Sequence, residues 1–292
     1  MRLIRQLTPE WALAAYHKTL AILADFYYCR PSERLIVVGV TGTNGKTTTV
    51  SLIAKVLEEA GFKVGAASTA IFKVADKEWL NDKKMTMLGR FALQKLLSDI
   101  VKAGCRYAVI ETSSQGIEQF RHLGIHYDVC VFTNLTPEHI EAHGGFENYK
   151  KAKLKLFKHL ERLKIKKLDG KSIKKVIVAN GDDRFAREFL EFNIDKKVVF
   201  GIDVSAAEFP ISNFQFTNNF QFLNVQNIDY RKDGVSFKVA QTEFDLKLFG
   251  RFNVYNSLAA IAVGQSQEID LAIAKKALEK VSVMPGRMEF IE

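Results

Sequence analysis

The turn TGTNGKTT at positions 41–48 combines the residue types that a polyphosphate needs. Gly42 and Gly45 let backbone N–H groups close on phosphate oxygens, Lys46 offsets β/γ charge, and the Thr47 hydroxyl is a ligand for a divalent cation. Thr41, Thr43, Asn44 and Thr48 complete the candidate ATP-binding loop. The strict pattern G-x-x-x-x-G-K-[ST] is not met, because Val40 stands at its first glycine position. An ordinary glycine turn is the alternative, but the apolar run before the loop and the helical spacing after it are the context that phosphate binding requires.

Two further segments carry metal-ligand chemistry. The run YAVIE ends in Glu111, a carboxylate suited to magnesium; the competing reading makes ETSSQG a helix start with Thr112, Ser113 or Ser114 as its cap. The run CVFTN ends at Asn134 and is followed by Glu138, His139, Glu141 and His143. His139 is the better ligand candidate, whereas His143, beside Gly144 and Gly145, reads as a hydrogen-bonded structural histidine. A hydrolytic serine is disfavoured, since ETSSQ lacks the G-x-S-x-G elbow.

The elements that must position these groups alternate. Apolar and β-branched runs predict strands at 35–40, 64–68, 107–111, 129–133, 175–179 and 197–200, with helices at 49–60, 88–102, 146–160, 253–265 and 271–280. Such alternation predicts an α/β fold: a P-loop-type, doubly wound, mostly parallel sheet with helices on both faces and ligands at the carboxyl ends of strands. Residues 209–249 are richer in Phe, Asn and Asp and predict a small antiparallel β appendage, with a hairpin turn at 231–234.

The chain has 292 residues, 47% hydrophobic and 11% aromatic, enough for a substantial core. Its three cysteines, Cys29, Cys105 and Cys130, have no paired spacing, which fits a reducing cytoplasm, and charges interrupt the apolar runs of the first thirty residues, which argues against membrane insertion. The net charge of +9 favours anionic partners. The lysines of 150–175 show no nucleic-acid motif and read as a solvated surface, so nucleic acid is not an expected partner.

Taken in order, TGTNGKTT, ETSS, FTNLTPEHIEAHG, YKKAK, NGDD and LFGRFNVYN resemble the Mur ligase family, and the similarity runs from about residue 23 to 292. The linker FYYCRPSERLIVVGV and the ending PGRME resemble the family's tripeptide-synthetase branch, which extends UDP-N-acetylmuramoyl-dipeptide. The resemblance implies an ATP-dependent ligase that activates a carboxylate as an acyl phosphate, which an amino acid then attacks. It implies two magnesium ions held by Thr47, Glu111, His139 and Lys153, the last as a carbamate. Adenosine contacts fall to Asn253 and Asn256, with Asp182, Asp183 and Arg287 in support. Thr86, Ser114, Gln119 and Arg121 stand where the family binds its muramoyl-peptide. Gln115 in place of a histidine, Thr86-Met87 in place of Thr-Thr, and Pro137-Glu138 in place of Arg-Asp depart from the pattern.

The same resemblance divides the chain into a helical segment and linker at 1–34 and a central ATP-binding domain at 35–292. A full uridine-nucleotide domain and a C-terminal ligase domain are expected to be absent from these residues, and the chain is expected to act as a monomer. A non-catalytic ATP-binding switch or scaffold and a folylpolyglutamate-synthase-like ligase are the competing functions.

Overall fold

The computed structural model describes residues 9–83, 85–138, 140–204 and 219–282. Its centre is strand β1 (Ile36–Thr41), buried at every position. A near-continuous apolar run, here Ile36 to Val40, is what a strand covered on both faces requires. On one side β1 pairs in parallel with β5 (Tyr107–Glu111), which pairs with β2 (Val64–Ala67); on the other it pairs with β6 (Val129–Phe132). The parallel run continues through β9 (Val176–Asn180) and β10 (Lys196–Gly201). The loops that leave β1, β5 and β6 therefore open side by side at one edge of the sheet, where ligands of such sheets bind.

Alternate residues of each strand feed two separate cores. Val38, Val40 and Val131 face a layer formed by α2 (Lys46–Glu59), α7 (Arg251–Ser266) and α8 (Leu271–Glu279). Val37, Ile110 and Phe132 face α3 (Arg90–Lys102) and α5 (Phe146–Arg162). Helices thus cover both faces, as the alternation predicts.

Three features extend or correct the sequence reading, the first of them adding to an antiparallel part that is present as expected. The antiparallel strands β11 (Phe220–Arg231), β12 (Gly234–Val239) and β13 (Thr242–Leu246) turn where expected, between Arg231 and Gly234, but β11 pairs in parallel with β10. The expected appendage is thus an extension of the main sheet; its residues up to 218 lie outside the described residues. A second antiparallel extension, β3 (Ile71–Val74) and β4 (Lys77–Leu80), lies on the opposite edge, against β2. Finally, the lysine-rich stretch is not simply solvated: it contains the hairpin β7 (Lys166–Leu168) and β8 (Lys171–Ile173), and the side chains of Lys153 and Lys166 are buried.

Lys166 explains its own burial. Its ammonium lies 2.6 Å from Asp128 Oδ2 and donates to the carbonyls of Ser32 (2.8 Å), Leu35 (2.7 Å) and His126 (2.9 Å). Asp128 Oδ2 also accepts the N–H of Val37 at 2.8 Å, so one ion pair ties the linker, β1, β6 and the hairpin together. Burial pushes the Asp128 carboxyl up to about 6 and the Lys166 amine down, each partly restored by the other's charge. Ahead of the linker, α1 (Glu10–Tyr27) packs Ala21 and Ala24 inward and leaves Trp11, Phe26 and Tyr27 exposed. No described helix is long and apolar enough to cross a membrane.

Candidate nucleotide and metal site

Helix α2 begins at Lys46, earlier than the apolar spacing predicts, so Lys46, Thr47 and Thr48 occupy its first turn. N–H groups of that turn lack intrahelical acceptors and suit an anion. Gly42 (φ 154°) and Gly45 (φ 81°) hold backbone conformations that L side chains rarely adopt. A methyl on Gly42 would run into Thr133 Oγ1 and lie 3.1 Å from the backbone of Asn134; one on Gly45 would run into Asn256 Oδ1. Gly42→Ala is therefore expected to destabilise the chain by about 1–3 kcal/mol and to weaken nucleotide binding, as read by urea denaturation and titration calorimetry.

The loop is braced from β6. Asn134 Oδ1 accepts Asn44 N–H at 2.9 Å, Asn134 Nδ2 donates to Asn44 O at 3.1 Å, and Thr133 Oγ1 donates to the same carbonyl at 2.8 Å. Asn134, expected among the ATP contacts, thus has its amide committed to shaping the loop. Thr43 sends its N–H to Asn134 O (2.9 Å), and its hydroxyl oxygen accepts from Tyr149 (3.2 Å) and from Thr136 N (3.0 Å). Thr41 lies fully buried at the end of β1.

From the other direction, α7 brings Asn256 against the loop: its Oδ1 accepts from Thr49 Oγ1 (3.2 Å), and its Nδ2 donates to Asn253 Oδ1 (3.2 Å). Asp182 accepts from Ile202 N and Tyr255 OH, each at 2.7 Å, while Asp183 accepts from Leu135 N (2.7 Å) and Phe185 N (2.9 Å). Both acids act here as ties between loops at the ligand edge. Arg287 lies outside the described residues.

Glu111, 2% exposed, ends β5 beside the phosphate loop. The residue that caps the following short helix is Ser113, whose Oγ accepts Gly116 N–H at 3.1 Å, so the capping reading does not occupy Glu111. Thr47 Oγ1 stands 2.8 Å from Glu111 Oε2. Octahedral magnesium with ligands at 2.0–2.1 Å needs neighbouring oxygens about 2.9 Å apart. The Thr47–Glu111 pair meets that spacing with hard oxygens. Thr69, which no sequence motif singles out, donates its N–H to Glu111 Oε2 (2.8 Å) and its hydroxyl to Oε1 (3.1 Å). Its one available signal is a hydroxyl just past the carboxyl end of a strand adjacent to β5.

Lys153 projects from α5 into the same place. Its side chain is buried, its Nζ donates to Gly42 O at 2.7 Å, and it lies 4.4 Å from the centre of the Tyr149 ring. Burial, then the charge of Lys46, push its amine well below the usual lysine range, against the pull of Glu111. As an ammonium it is a donor and holds no metal. His139 lies outside the described residues. Lys46 Nζ folds back to donate to Thr43 O at 2.6 Å.

The expected substrate residues are each engaged by protein groups. Thr86 Oγ1 is 3.1 Å from Thr69 Oγ1; Arg121 donates to Gln119 Oε1 (2.6 Å) and to Met87 O, and Ser114 Oγ is 3.0 Å from His143 Nε2. His143 Nδ1 in turn lies 3.0 Å from Glu118 Oε1.

Residues 40–264 match the Mur ligase middle domain. A UDP-N-acetylmuramyl-tripeptide synthetase of Roseiflexus sp. (strain RS-1) is 35% identical over 279 residues, covering 94% of this chain and 52% of that protein. A UDP-N-acetylmuramoyl-L-alanyl-D-glutamate--2,6-diaminopimelate ligase of Halalkalibacterium halodurans is 34% identical over 280 residues, with 94% and 52% covered. The solved structure of a ligase described by the same words superposes with a TM-score of 0.75 at 26% identity, over 94% of this chain and 53% of that one. MurF from Acinetobacter baumannii, at 19% identity and a TM-score of 0.67, shares the fold over 94% of this chain and 52% of that one. The chain spans about half the length of the curated relatives it matches.

Proposed function

The chain belongs to the Mur ligase family, by its middle domain, and from that membership we propose that it is the ATP-binding part of a ligase that adds an amino acid to UDP-N-acetylmuramoyl-dipeptide. The observation that carries the reading is the Thr47–Glu111 oxygen pair, 2.8 Å apart at the mouth of a glycine-shaped loop. The substrate carboxylate takes the γ-phosphoryl group of ATP to become an acyl phosphate, and the incoming amine then displaces phosphate. Phosphoryl transfer of this kind is catalysed by positioning and charge neutralisation.

Each residue then has a task. The first turn of α2 and Lys46 receive the phosphates, Lys46 exchanging the Thr43 carbonyl for phosphate oxygen. Thr47 and Glu111 hold magnesium, which when bound offsets the charge of the transferring group. A second magnesium falls to Glu111, His139 and a carbamylated Lys153. Carbamylation needs a neutral amine, and burial, which pushes the Lys153 amine well below the usual lysine range, favours that form. In this reading Asn253, Asn256, Asp182 and Arg287 are the residues that would contact adenosine, and Thr86, Ser114, Gln119 and Arg121 those that would contact the muramoyl-peptide. The same reading has the chain acting as a monomer in the cytoplasm, with which its unpaired cysteines agree.

Calorimetry tests the reading: ATP is expected to bind this chain in a magnesium-dependent manner that Glu111→Gln abolishes. In labelled bicarbonate, a carbamate carbon resonance should appear and vanish in Lys153→Ala. Magnesium-independent binding that survives Glu111→Gln would contradict the metal assignment.

A further inference from the structure

The Glu111 carboxylate is gripped at both oxygens by one residue, Thr69. Its backbone N–H reaches Oε2 at 2.8 Å and its hydroxyl reaches Oε1 at 3.1 Å. A carboxylate held at both oxygens by one residue cannot rotate about its last bond without breaking a charged hydrogen bond. The grip leaves Oε2 turned to Thr47, in the spacing that magnesium needs.

The bend that carries Thr69 is itself rigidly built. Ser68 Oγ accepts the N–H groups of Ala70 (3.2 Å) and Ile71 (3.0 Å), closing a turn directly after β2. Asn81 Nδ2 donates to Ser68 O (2.8 Å) and to Met85 O (2.9 Å), and Asn81 N–H reaches Ala70 O at 2.8 Å. The segment leading to Thr86 is thereby pinned to the same bend. Thr69 has one hydroxyl proton and two acceptors at 3.1 Å, Glu111 Oε1 and Thr86 Oγ1. An ionised carboxylate is the stronger acceptor, so the Thr69 proton points to Glu111 and Thr86 donates to Thr69.

We propose that Thr69 is a positioning residue for Glu111, setting its carboxylate for a divalent cation, with Thr86 behind it fixing the direction of its proton. The inference rests on the nucleotide and metal reading above. It assigns a metal-site task to an exposed threonine in a β-edge bend, in a part of the chain where the sequence shows no motif.

The test is a magnesium titration of nucleotide binding by the full chain, using a fluorescent ATP analogue, with parallel binding in EDTA. Thr69→Val keeps the shape and the backbone N–H but removes the hydroxyl donor. It should raise the magnesium concentration for half-maximal binding about tenfold, the order expected for one charged hydrogen bond. Metal-free binding and melting temperature should stay unchanged, and Thr69→Ser should restore the wild-type requirement. An unaltered magnesium requirement in Thr69→Val, an equal loss with and without magnesium, or failure of Thr69→Ser to restore it would overturn the role of Thr69 alone. Wild-type binding indifferent to both magnesium and Glu111→Gln would overturn the metal reading, and this inference with it.

Discussion

Replacing Lys46 by alanine is expected to lower ATP affinity by about a hundredfold, the equivalent of about 2.7 kcal/mol, while leaving the thermal transition almost unmoved. Lys46 lies in the first turn of α2, partly exposed, and its Nζ donates to Thr43 O at 2.6 Å, within the loop that would wrap the phosphates. A bound polyphosphate offers that ammonium a charged acceptor in place of a carbonyl, and hydrogen bonds between opposite charges are roughly twice as strong as neutral ones. Among its contacts the fold loses the hydrogen bond to the Thr43 carbonyl, a loop contact. Titration calorimetry beside a melting curve separates the two effects: equal ATP affinity in wild type and Lys46→Ala would remove the lysine from the phosphate site. A large fall in melting temperature would instead give it a structural role.

The largest effect on stability is expected far from that loop. Lys166→Met should destabilise the chain by about 3–5 kcal/mol, the usual cost of leaving one partner of a buried ion pair alone. The substitution strands Asp128, whose side chain is 2% exposed, and removes the donor that three backbone carbonyls share. Burial already pushes Asp128 and Lys166 towards their neutral forms, so each depends on the other to remain charged. Adding Asp128→Asn to Lys166→Met should recover part of the loss, because the amide oxygen still accepts Val37 N–H without carrying a charge. Urea denaturation of the two single variants and the double variant closes the cycle. A loss below about 1 kcal/mol for Lys166→Met would show that water solvates the pair.

The central sheet is legible in the sequence because strands covered on both faces must be apolar throughout, as LIVVGV and VCVF are. The small peripheral strands are not: β4, KEWL, is exposed at every position, and β7 and β8 hold three residues each from a lysine-rich run. β4 is set by the sheet edge it joins, and β7 and β8 by their pairing with each other in a separate two-stranded sheet. The buried Lys153 did leave a signal. Tyr149, Ala152, Lys153, Leu156, Phe157 and Leu160 form the buried stripe of α5, and a lysine inside an apolar stripe at helical spacing is anomalous on periodicity alone. Lys166 left none, since its partners, the Asp128 carboxylate and backbone carbonyls of residues such as Ser32 and Leu35, lie far away in the chain. Within the site, the glycines, Lys46, Thr47 and Glu111 announce themselves by type and place, whereas Thr69 matters only because the sheet order sets β2 beside β5.

That sheet order also sets how far apart in sequence the joined pieces lie. Antiparallel hairpins at the two edges join neighbours in sequence and close within microseconds. The phosphate loop is assembled from remote pieces: Asn44 is bonded to a residue 90 positions away and Thr49 to one 207 away. Closing such spans is slow, since their loop entropy must be overcome before any contact forms. The loop that would grip a nucleotide thus takes its final shape only when parts of the chain far apart in sequence have come together.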